Sequence, residues 1–283
     1  MHFGVLAIAN EHGLLPAELA REAEDRGLES VWFSDHSHIP ARRQTPWPGG
    51  ADLPDNYYAM MDPIVCMAAA AAATTRLRLG TAVILVIERD PIHLAKSIAC
   101  VDVISKGRVE LGVGGGWNLE EMRNHGTDPA QRWQLLRERV EAMKAMWTTD
   151  PSEYHGELVD FDPIISRPKP VQSGGPRVHV GGAGQRAYRR ALRYGDGWMP
   201  LLGRGDDDVV KHIRSLRAEA AATGRSLDGF EVTMCNPPLD PAVLERYRDG
   251  DVDRVLLAVP SVGRDAGLRA LDRIQVQSQH LGS

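Results

Sequence analysis

The chain has 283 residues, 43% of them hydrophobic, so it can bury a full core as one large barrel or as two ordinary domains. The net charge of −5 argues against a nucleic acid or an acidic membrane as the main partner and leaves small molecules open. Cys66, Cys100 and Cys235 have no Cys-x-x-Cys spacing, no apolar run reaches membrane-spanning length and no signal peptide is recognisable, so we expect a cytoplasmic protein.

Strand and helix patterns alternate through the first half of the chain. Apolar runs predict four strands, over Phe3–Ala9, Ser30–Ser34, Leu77–Val86 and Arg108–Val113. Helical spacing predicts helices over Pro16–Arg26 and Pro63–Thr74, from Pro91 to a stop at Gly107, and around Trp133–Trp147. The long segment Ile39–Asp55, rich in Pro, Gly and Arg, is predicted to be a functional loop such as a lid.

The second half continues the alternation after an excursion. Residues Thr149–Gly175 hold four prolines, which predicts an irregular connection with room for a hairpin on the rim. Further strands are predicted over Arg177–Val180, Gly197–Leu201, Phe230–Cys235 and Arg254–Val259, with helices over Gln185–Tyr194, Asp206–Thr223 and Pro241–Arg248. Eight strands alternating with helices favour an α/β fold, a single (β/α)8 TIM barrel over residues 1–283, with its active site at the C-terminal strand ends.

A run of three glycines follows the fourth predicted strand. Gly114, Gly115 and Gly116 would let a flat ligand approach the main chain, with Trp117 and Asn118 as wall and hydrogen-bonding partner. A purely structural turn explains the same pattern equally well.

A second small-residue run lies between the fifth strand and its helix. Gly181, Gly182, Ala183 and Gly184 would offer free N–H groups at a helix N-terminus to an anion such as phosphate, with Arg186 adding charge or simply solvated. A tight turn without a ligand is the alternative. The spacing lacks Gly-x-Gly-x-x-Gly, which disfavours a dinucleotide. Together, the two runs favour one extended, phosphorylated and planar ligand.

The densest titratable cluster follows the second strand. Asp35, His36 and His38 are candidates for acid–base chemistry or hydrogen bonding, although a loop that bonds only with itself remains open. Strand alternation would point His36 and His38 to the same side, as in metal-dependent hydrolase barrels, with His179 in the fifth strand. A histidine near the sixth strand and an aspartate ending the eighth are missing, so no metal ligand is assigned.

Over residues 1–202 the chain resembles the luciferase-like (β/α)8 superfamily, and within it the coenzyme F420-dependent oxidoreductases common in actinobacteria. Many separated motifs in the same order carry the resemblance. They are Trp32–His36, Tyr57-Tyr58, Asp62-Pro63, Arg76–Thr81, Ala95-Lys96, Gly107-Arg108, Leu111–Gly114, Gly116–Asn118, Pro168–Pro170 and Gly195–Trp198.

The resemblance implies a cofactor seat and its surroundings. It implies a cis peptide bond at Ala82–Val83 behind the deazaflavin ring, backbone at Gly114–Gly116 against the ring edge, and Gly181–Gly184 around the phosphate. The pair Asp35-His36 would border the ring near the substrate. Sugar-phosphate dehydrogenases of the superfamily carry a tryptophan where this chain has Ile39-Pro40, which disfavours a sugar phosphate as substrate.

The expected function is hydride transfer between coenzyme F420 and an unsaturated or carbonyl carbon of a small organic substrate. Asp35, His36 and His38 would exchange the accompanying proton or fix the ring, while Trp47 and Trp117 would shape the cavity. Flavin mononucleotide in a monooxygenase is the nearest alternative. A metal-dependent hydrolase and a cofactor-binding protein without turnover are alternatives of other classes. We expect a homodimer.

Overall fold

A closed barrel of eight parallel strands is the centre of the computed structural model, which describes residues 1–50, 52–201 and 208–281. The barrel strands are β1 (His2–Ala7), β2 (Ser30–Phe33), β3 (Arg78–Ile84), β4 (Val109–Val113), β7 (Arg177–Gly181), β8 (Gly197–Met199), β9 (Glu231–Cys235) and β10 (Arg254–Ala258). They pair in this order, and β10 pairs with β1 to close the ring. The predicted (β/α)8 barrel is therefore confirmed.

Helices connect the strands and cover the outside of the barrel. They are α1 (Pro16–Asp25), α2 (Pro63–Ala73), α3 (Pro91–Ser105), α4 (Leu119–Asn124), α5 (Arg132–Thr148), α6 (Gly184–Tyr194), α7 (Val209–Thr223), α8 (Pro241–Asp249) and α9 (Arg264–Leu281). Short 3₁₀ turns occur at Asp55–Ala59 and Val86–Glu88. None of the helices in the described part of the chain combines the length and apolar character needed to cross a membrane.

Helix starts follow from local sequence chemistry. The side chains of Asp62, Asp90 and Asp240 accept N–H groups of the first turns of α2, α3 and α8, and a proline follows each aspartate. Aspartate satisfies donors that the helix leaves free, and proline has no N–H to lose at the first position. These Asp-Pro pairs fix where the helices begin.

The excursion after α5 contains a hairpin, as predicted. Strands β5 (Ser152–His155) and β6 (Asp160–Ile164) pair antiparallel outside the barrel. Glu138 of α5 accepts the N–H groups of Leu158 and Val159 in the hairpin turn, at 2.7 and 3.1 Å. The hairpin is therefore fastened to the barrel's outer helix.

Several element limits differ from the sequence prediction. Strand β2 ends at Phe33, β3 ends at Ile84 before a 3₁₀ turn, and after β8 only Leu201 makes an isolated bridge, to Cys235. The predicted start of the helix that is α7 in the structure, at residues 206 and 207, lies outside the described residues. Helices α4 and α9 were not predicted, since α4 is too short to show a period and α9 lies beyond the motifs that carried the interpretation.

A ring of alternating charges lies towards the N-terminal ends of the barrel strands. Its members are Glu29, Arg78, Glu110, Arg177, Glu231 and Arg254. The guanidinium of Arg254 donates to Glu29 at 2.8 and 2.9 Å and to Glu231 at 2.9 Å. The ring contains three negative and three positive side chains, so its formal charges sum to zero. These paired side chains fill the N-terminal end of the barrel.

Candidate active site

A cavity of about 470 Å³ opens at the C-terminal ends of the barrel strands. Its wall combines the loop after β2, residues 47–49, the end of β3, and both small-residue runs. The lining residues used below are Asp35, His36, Trp47, Tyr57, Ala82, Val83, Gly114, Gly115, Gly116, Trp117, Trp133, Gly181 and Gly182. The structure thus brings together most of the residues that the sequence singled out.

The end of β3 forms the floor of the cavity. The register between β3 and β4 shifts between Thr81 and Ile84, and the Ala82–Val83 peptide bond is cis, as the resemblance implied. Strands β3, β4 and β7 are neighbours, so the predicted juxtaposition of these three strand ends is confirmed.

Val83 explains two of the conspicuous glycines. A Cβ atom on Gly114 would lie 2.4 Å from Cγ2 of Val83, and one on Gly181 would lie 2.8 Å from Cγ1. These separations are far below carbon–carbon contact distance, so glycine is required by packing at both positions. The structural explanation of the runs is therefore correct in part, although both glycines also line the cavity.

Gly115 has a similar relation to Trp133. A Cβ atom at Gly115 would lie 2.5 Å from the indole of Trp133, which also lines the cavity. The guanidinium of Arg190 stacks on that indole, 3.8 Å from its centroid. Trp133 and Arg190 were not assigned to the site from the sequence. The sequence analysis named Arg186 as the charged residue near the anion site. Arg190 lies one helical turn further on, on the same face of the helix, and this spacing could have indicated it.

The start of α6 has features suited to an anion. Gly182 has a φ of +130°, and a Cβ there would lie 3.7 Å from Nη2 of Arg190. The N-cap residue, Ala183, provides no side-chain hydrogen bond to the first turn. Among the predicted residues, Gly181 and Gly182 line the cavity, while Ala183 and Gly184 do not; Arg186 is exposed.

Asp35 is buried in an ion pair. Its carboxylate accepts the N–H of Leu85 at 2.9 Å and two N–H groups of Arg89, at 2.8 and 3.2 Å. Arg89 also pairs with Asp62 at 2.8 Å. Asp35 therefore ties the loop after β2 to the end of β3, with its charge compensated.

His36 has a partner at each ring nitrogen. Its Nδ1 lies 2.6 Å from Oε2 of the fully buried Glu121, and Nε1–H of Trp117 donates to its Nε2 at 2.9 Å. The ring of Tyr57 lies 5.5 Å away, centroid to centroid. His36 is thus the histidine that the structure places at the cavity wall, and Glu121 is a site residue that the sequence analysis missed.

His38 lies outside the cavity lining. Its ring nitrogens contact Oγ of Ser37 and Nδ2 of Asn124, each at 2.8 Å. Because β2 ends at Phe33, strand alternation does not extend to His36 and His38. The expectation that both histidines point into one site is therefore wrong.

A third acid, Glu88, lies beneath this region. Its side chain is 4% exposed, and its Oε1 has no hydrogen-bond partner. Burial, together with the negative charges of Glu121 and Asp35, raises the pKa of Glu88 to about 9. Glu88 is consequently a neutral carboxylic acid at pH 7.

One group in the described part of the chain has metal-ligand chemistry, and it lies in the charge ring. Ligand atoms of Glu110, His179 and Glu231 fall within 4.8 Å of one another. The two carboxylates already pair with Arg78, Arg177 and Arg254, whose positive charges oppose a cation. The cluster therefore belongs to the barrel interior, away from the cavity.

A (β/α)8 barrel with a cavity at its C-terminal strand ends has the architecture of barrel enzymes. The family model described as luciferase-like monooxygenase matches residues 16–238, and the chain belongs to that family.

Related sequences include proteins with named activities. The chain is 40% identical over 279 residues to the uncharacterized protein Rv0953c of Mycobacterium tuberculosis, with 97% of both chains covered. It is 32% identical over 240 residues to a protein of Nocardia farcinica named F420-dependent glucose-6-phosphate dehydrogenase, covering 82% of this chain and 66% of that protein.

Solved structures share the fold at low sequence identity. A monooxygenase, RslO1, from Streptomyces bottropensis superposes with a TM-score of 0.83 at 20% identity, covering 100% of both chains. An F420-dependent secondary alcohol dehydrogenase, in complex with an F420-acetone adduct, superposes with a TM-score of 0.75 at 19% identity, covering 97% of both. At these identities the likeness concerns the fold alone.

Proposed function

We propose that the protein is a coenzyme F420-dependent oxidoreductase that interconverts a small uncharged alcohol and its carbonyl compound. The observation that carries the proposal is the position of His36 at the wall of a cavity floored by Ala82–Val83 and the glycine strand ends. The relative named as an F420-dependent dehydrogenase, 32% identical over 82% of this chain, supports the choice of cofactor.

The residues present fit a phosphorylated planar cofactor. Val83 and the backbone of Gly114–Gly116 would support one face and one edge of the ring, and Trp133 would flank it. The uncapped first turn of α6 and the guanidinium of Arg190 would hold the phosphate, because free N–H groups, a helix N-terminus and a cation all favour an anion.

When bound, coenzyme F420 supplies a ring carbon that accepts or donates hydride. In alcohol oxidation, His36 would take the hydroxyl proton at Nε2 while the carbon loses its hydride. In the reverse direction the imidazolium would return that proton to the carbonyl oxygen. Asp35 would keep the loop that carries His36 in place through Arg89.

The walls around the free space favour an uncharged substrate. Leu6, Ile8, Met60, Trp47 and Val259 give the cavity an apolar lining, and no lysine or arginine occurs among the lining residues within 1–50, 52–201 and 208–281. A sugar phosphate would require a cation there. The sequence also disfavours a sugar phosphate as the substrate, because Ile39-Pro40 replaces the tryptophan of the sugar-phosphate dehydrogenases.

Fluorescence titration of the cofactor-free protein with coenzyme F420 and with flavin mononucleotide tests the cofactor. We expect micromolar or tighter binding of F420 and weaker binding of the flavin. Equal or tighter flavin binding would overturn the assignment in favour of flavin chemistry. Secondary alcohols should then reduce bound F420, which is measured as the loss of its visible absorbance. Glucose 6-phosphate should not reduce it.

A further inference from the structure

We infer that Glu121 is the positioning residue for His36, fixing which ring nitrogen carries the proton and stabilising the imidazolium when it forms. The inference deepens the proposed function and rests on it. Oε2 of Glu121 lies 2.6 Å from Nδ1 of His36, and the Glu121 side chain is fully buried. Its other oxygen accepts the N–H of Ser37 at 3.1 Å, so both oxygens hold the segment that carries His36.

The bond from Trp117 determines the tautomer of His36. An indole N–H can only donate, so Nε2 of His36, 2.9 Å away, must be an acceptor without a proton. The proton of the neutral ring is therefore on Nδ1, directed at Glu121. The lone pair of Nε2 therefore points towards Trp117, and both His36 and Trp117 line the cavity.

The surrounding charges leave this role to Glu121. Asp35 is compensated by Arg89, and Glu88 is held neutral by burial. His125, which follows the last residue of α4, also faces the cluster, and burial and the nearby His38 lower its pKa, which disfavours a positive charge there. Of the three buried acids, Glu121 is the one in direct hydrogen-bond contact with His36.

The step balances with an oxidised deazaflavin as hydride acceptor. The alcohol O–H bond breaks, and its proton forms an N–H bond at Nε2 of His36. The carbon loses hydride and becomes the carbonyl carbon. Trp117 must release Nε2 for this to happen, and Glu121 then faces a full positive charge across a short hydrogen bond.

Proton NMR of the cofactor-free protein tests the pairing directly. A short Nδ1–H···carboxylate bond should give a far-downfield imidazole resonance in the wild type. We expect it to disappear in His36→Asn and Glu121→Gln and to remain in Glu120→Gln. Glu120 is the matched control, because it is the adjacent acid on α4 and instead contacts the hydroxyl of Thr45 at 2.6 Å.

Kinetics separate a positioning role from a merely structural one. Glu121→Gln should lower kcat roughly 100-fold, with the alcohol KM and the F420 Kd within about twofold, and should move the acid limb of the pH profile to lower pH. Glu121→Asp should recover part of the loss. A Glu121→Gln variant with wild-type kcat and pH profile, or a resonance that survives in it, would overturn the inference. A wild type that binds no F420 overturns the proposed function alone, because the resonance is measured without cofactor.

Discussion

Among the described residues, two glutamate–histidine pairs have both side chains buried, and their surroundings differ. His179 contacts Glu110 through Nε2 at 2.8 Å among arginines, with both side chains fully buried and Trp32 edge-on at 5.4 Å. His36 contacts Glu121 at 2.6 Å, and its second nitrogen meets Trp117 at the cavity wall. The same pair is thus closed into the core at one end and accessible to a ligand at the other.

The two ends of the barrel also differ in how their buried charges are compensated. The N-terminal ring pairs three acids with three arginines. At the other end Arg89 pairs with Asp35 and Asp62, and among the described residues neither Glu88 nor Glu121 has an ion pair with an arginine or lysine. Opposite charges nearby favour the ionised form of a buried acid, whereas an excess of buried acids favours the neutral form of one of them. Perturbed groups beside a cavity are typical of functional sites, which supports the active site proposed at the C-terminal end.

Replacing each histidine by asparagine should separate the two ends most strongly. In His36→Asn we expect kcat to fall 10²- to 10⁴-fold, because the proton acceptor is lost. The free energy of unfolding should also fall by about 1.5–3 kcal/mol, because the buried Glu121 loses its partner. In His179→Asn we expect a loss of about 1.5–3 kcal/mol, because a buried bond to a charged group is removed, and near-normal kcat in the folded protein. Turnover assays and urea unfolding measure both.

His38→Asn is the control for that comparison. It removes the same side chain two residues away, outside the cavity lining, and should leave kcat within about twofold. A His38→Asn variant as inactive as His36→Asn would contradict the assignment of proton transfer to His36.

The sequence was sufficient for the barrel and for the backbone part of the site. Strand–helix alternation and glycine runs are local patterns, so the strand order and the cavity lining at Gly114–Gly116 followed from them. The cis bond at Ala82–Val83 was implied only by the resemblance to the luciferase-like superfamily. The reason for the glycines did not. Gly114 and Gly181 are dictated by Val83, a contact between strands far apart in the chain, which no local pattern records.

The sequence did not predict which side chains form hydrogen bonds with one another in the site. Asp35 and His36 are adjacent, and adjacency made them a candidate pair, yet each instead bonds to a residue more than 50 positions away. Asp35 bonds to Arg89 and His36 to Glu121. Glu121 gave no signal in the sequence, because the short helix α4 that carries it was not predicted. Only the fold distinguishes it from Glu120.

Glu88 should make stability depend on pH. Its folded pKa, about 9, lies above the ordinary value of 4.5, so between these values the unfolded state loses a proton that the native state keeps. Stability should therefore fall as pH rises from about 4.5 to 9. Glu88→Gln has nearly the shape of the neutral acid and cannot ionise. Its free energy of unfolding at pH 8 should therefore exceed that of the wild type by roughly 1–3 kcal/mol, and the difference should vanish near pH 4. An equal difference at both pH values would contradict a neutral Glu88.

Arg190 tests whether the anion end of the cavity is as specific as its geometry indicates. Arg190→Met retains an apolar stem over Trp133 but removes the cation beside Gly182, so the F420 Kd should rise about tenfold, which corresponds to about 1.4 kcal/mol. The salt dependence of binding should weaken as well, because one charge contact is lost. Arg189→Met is the matched control, since Arg189 is exposed and pairs with Glu219 at 2.8 Å. If the two variants bind F420 with the same Kd, the phosphate does not lie against Arg190.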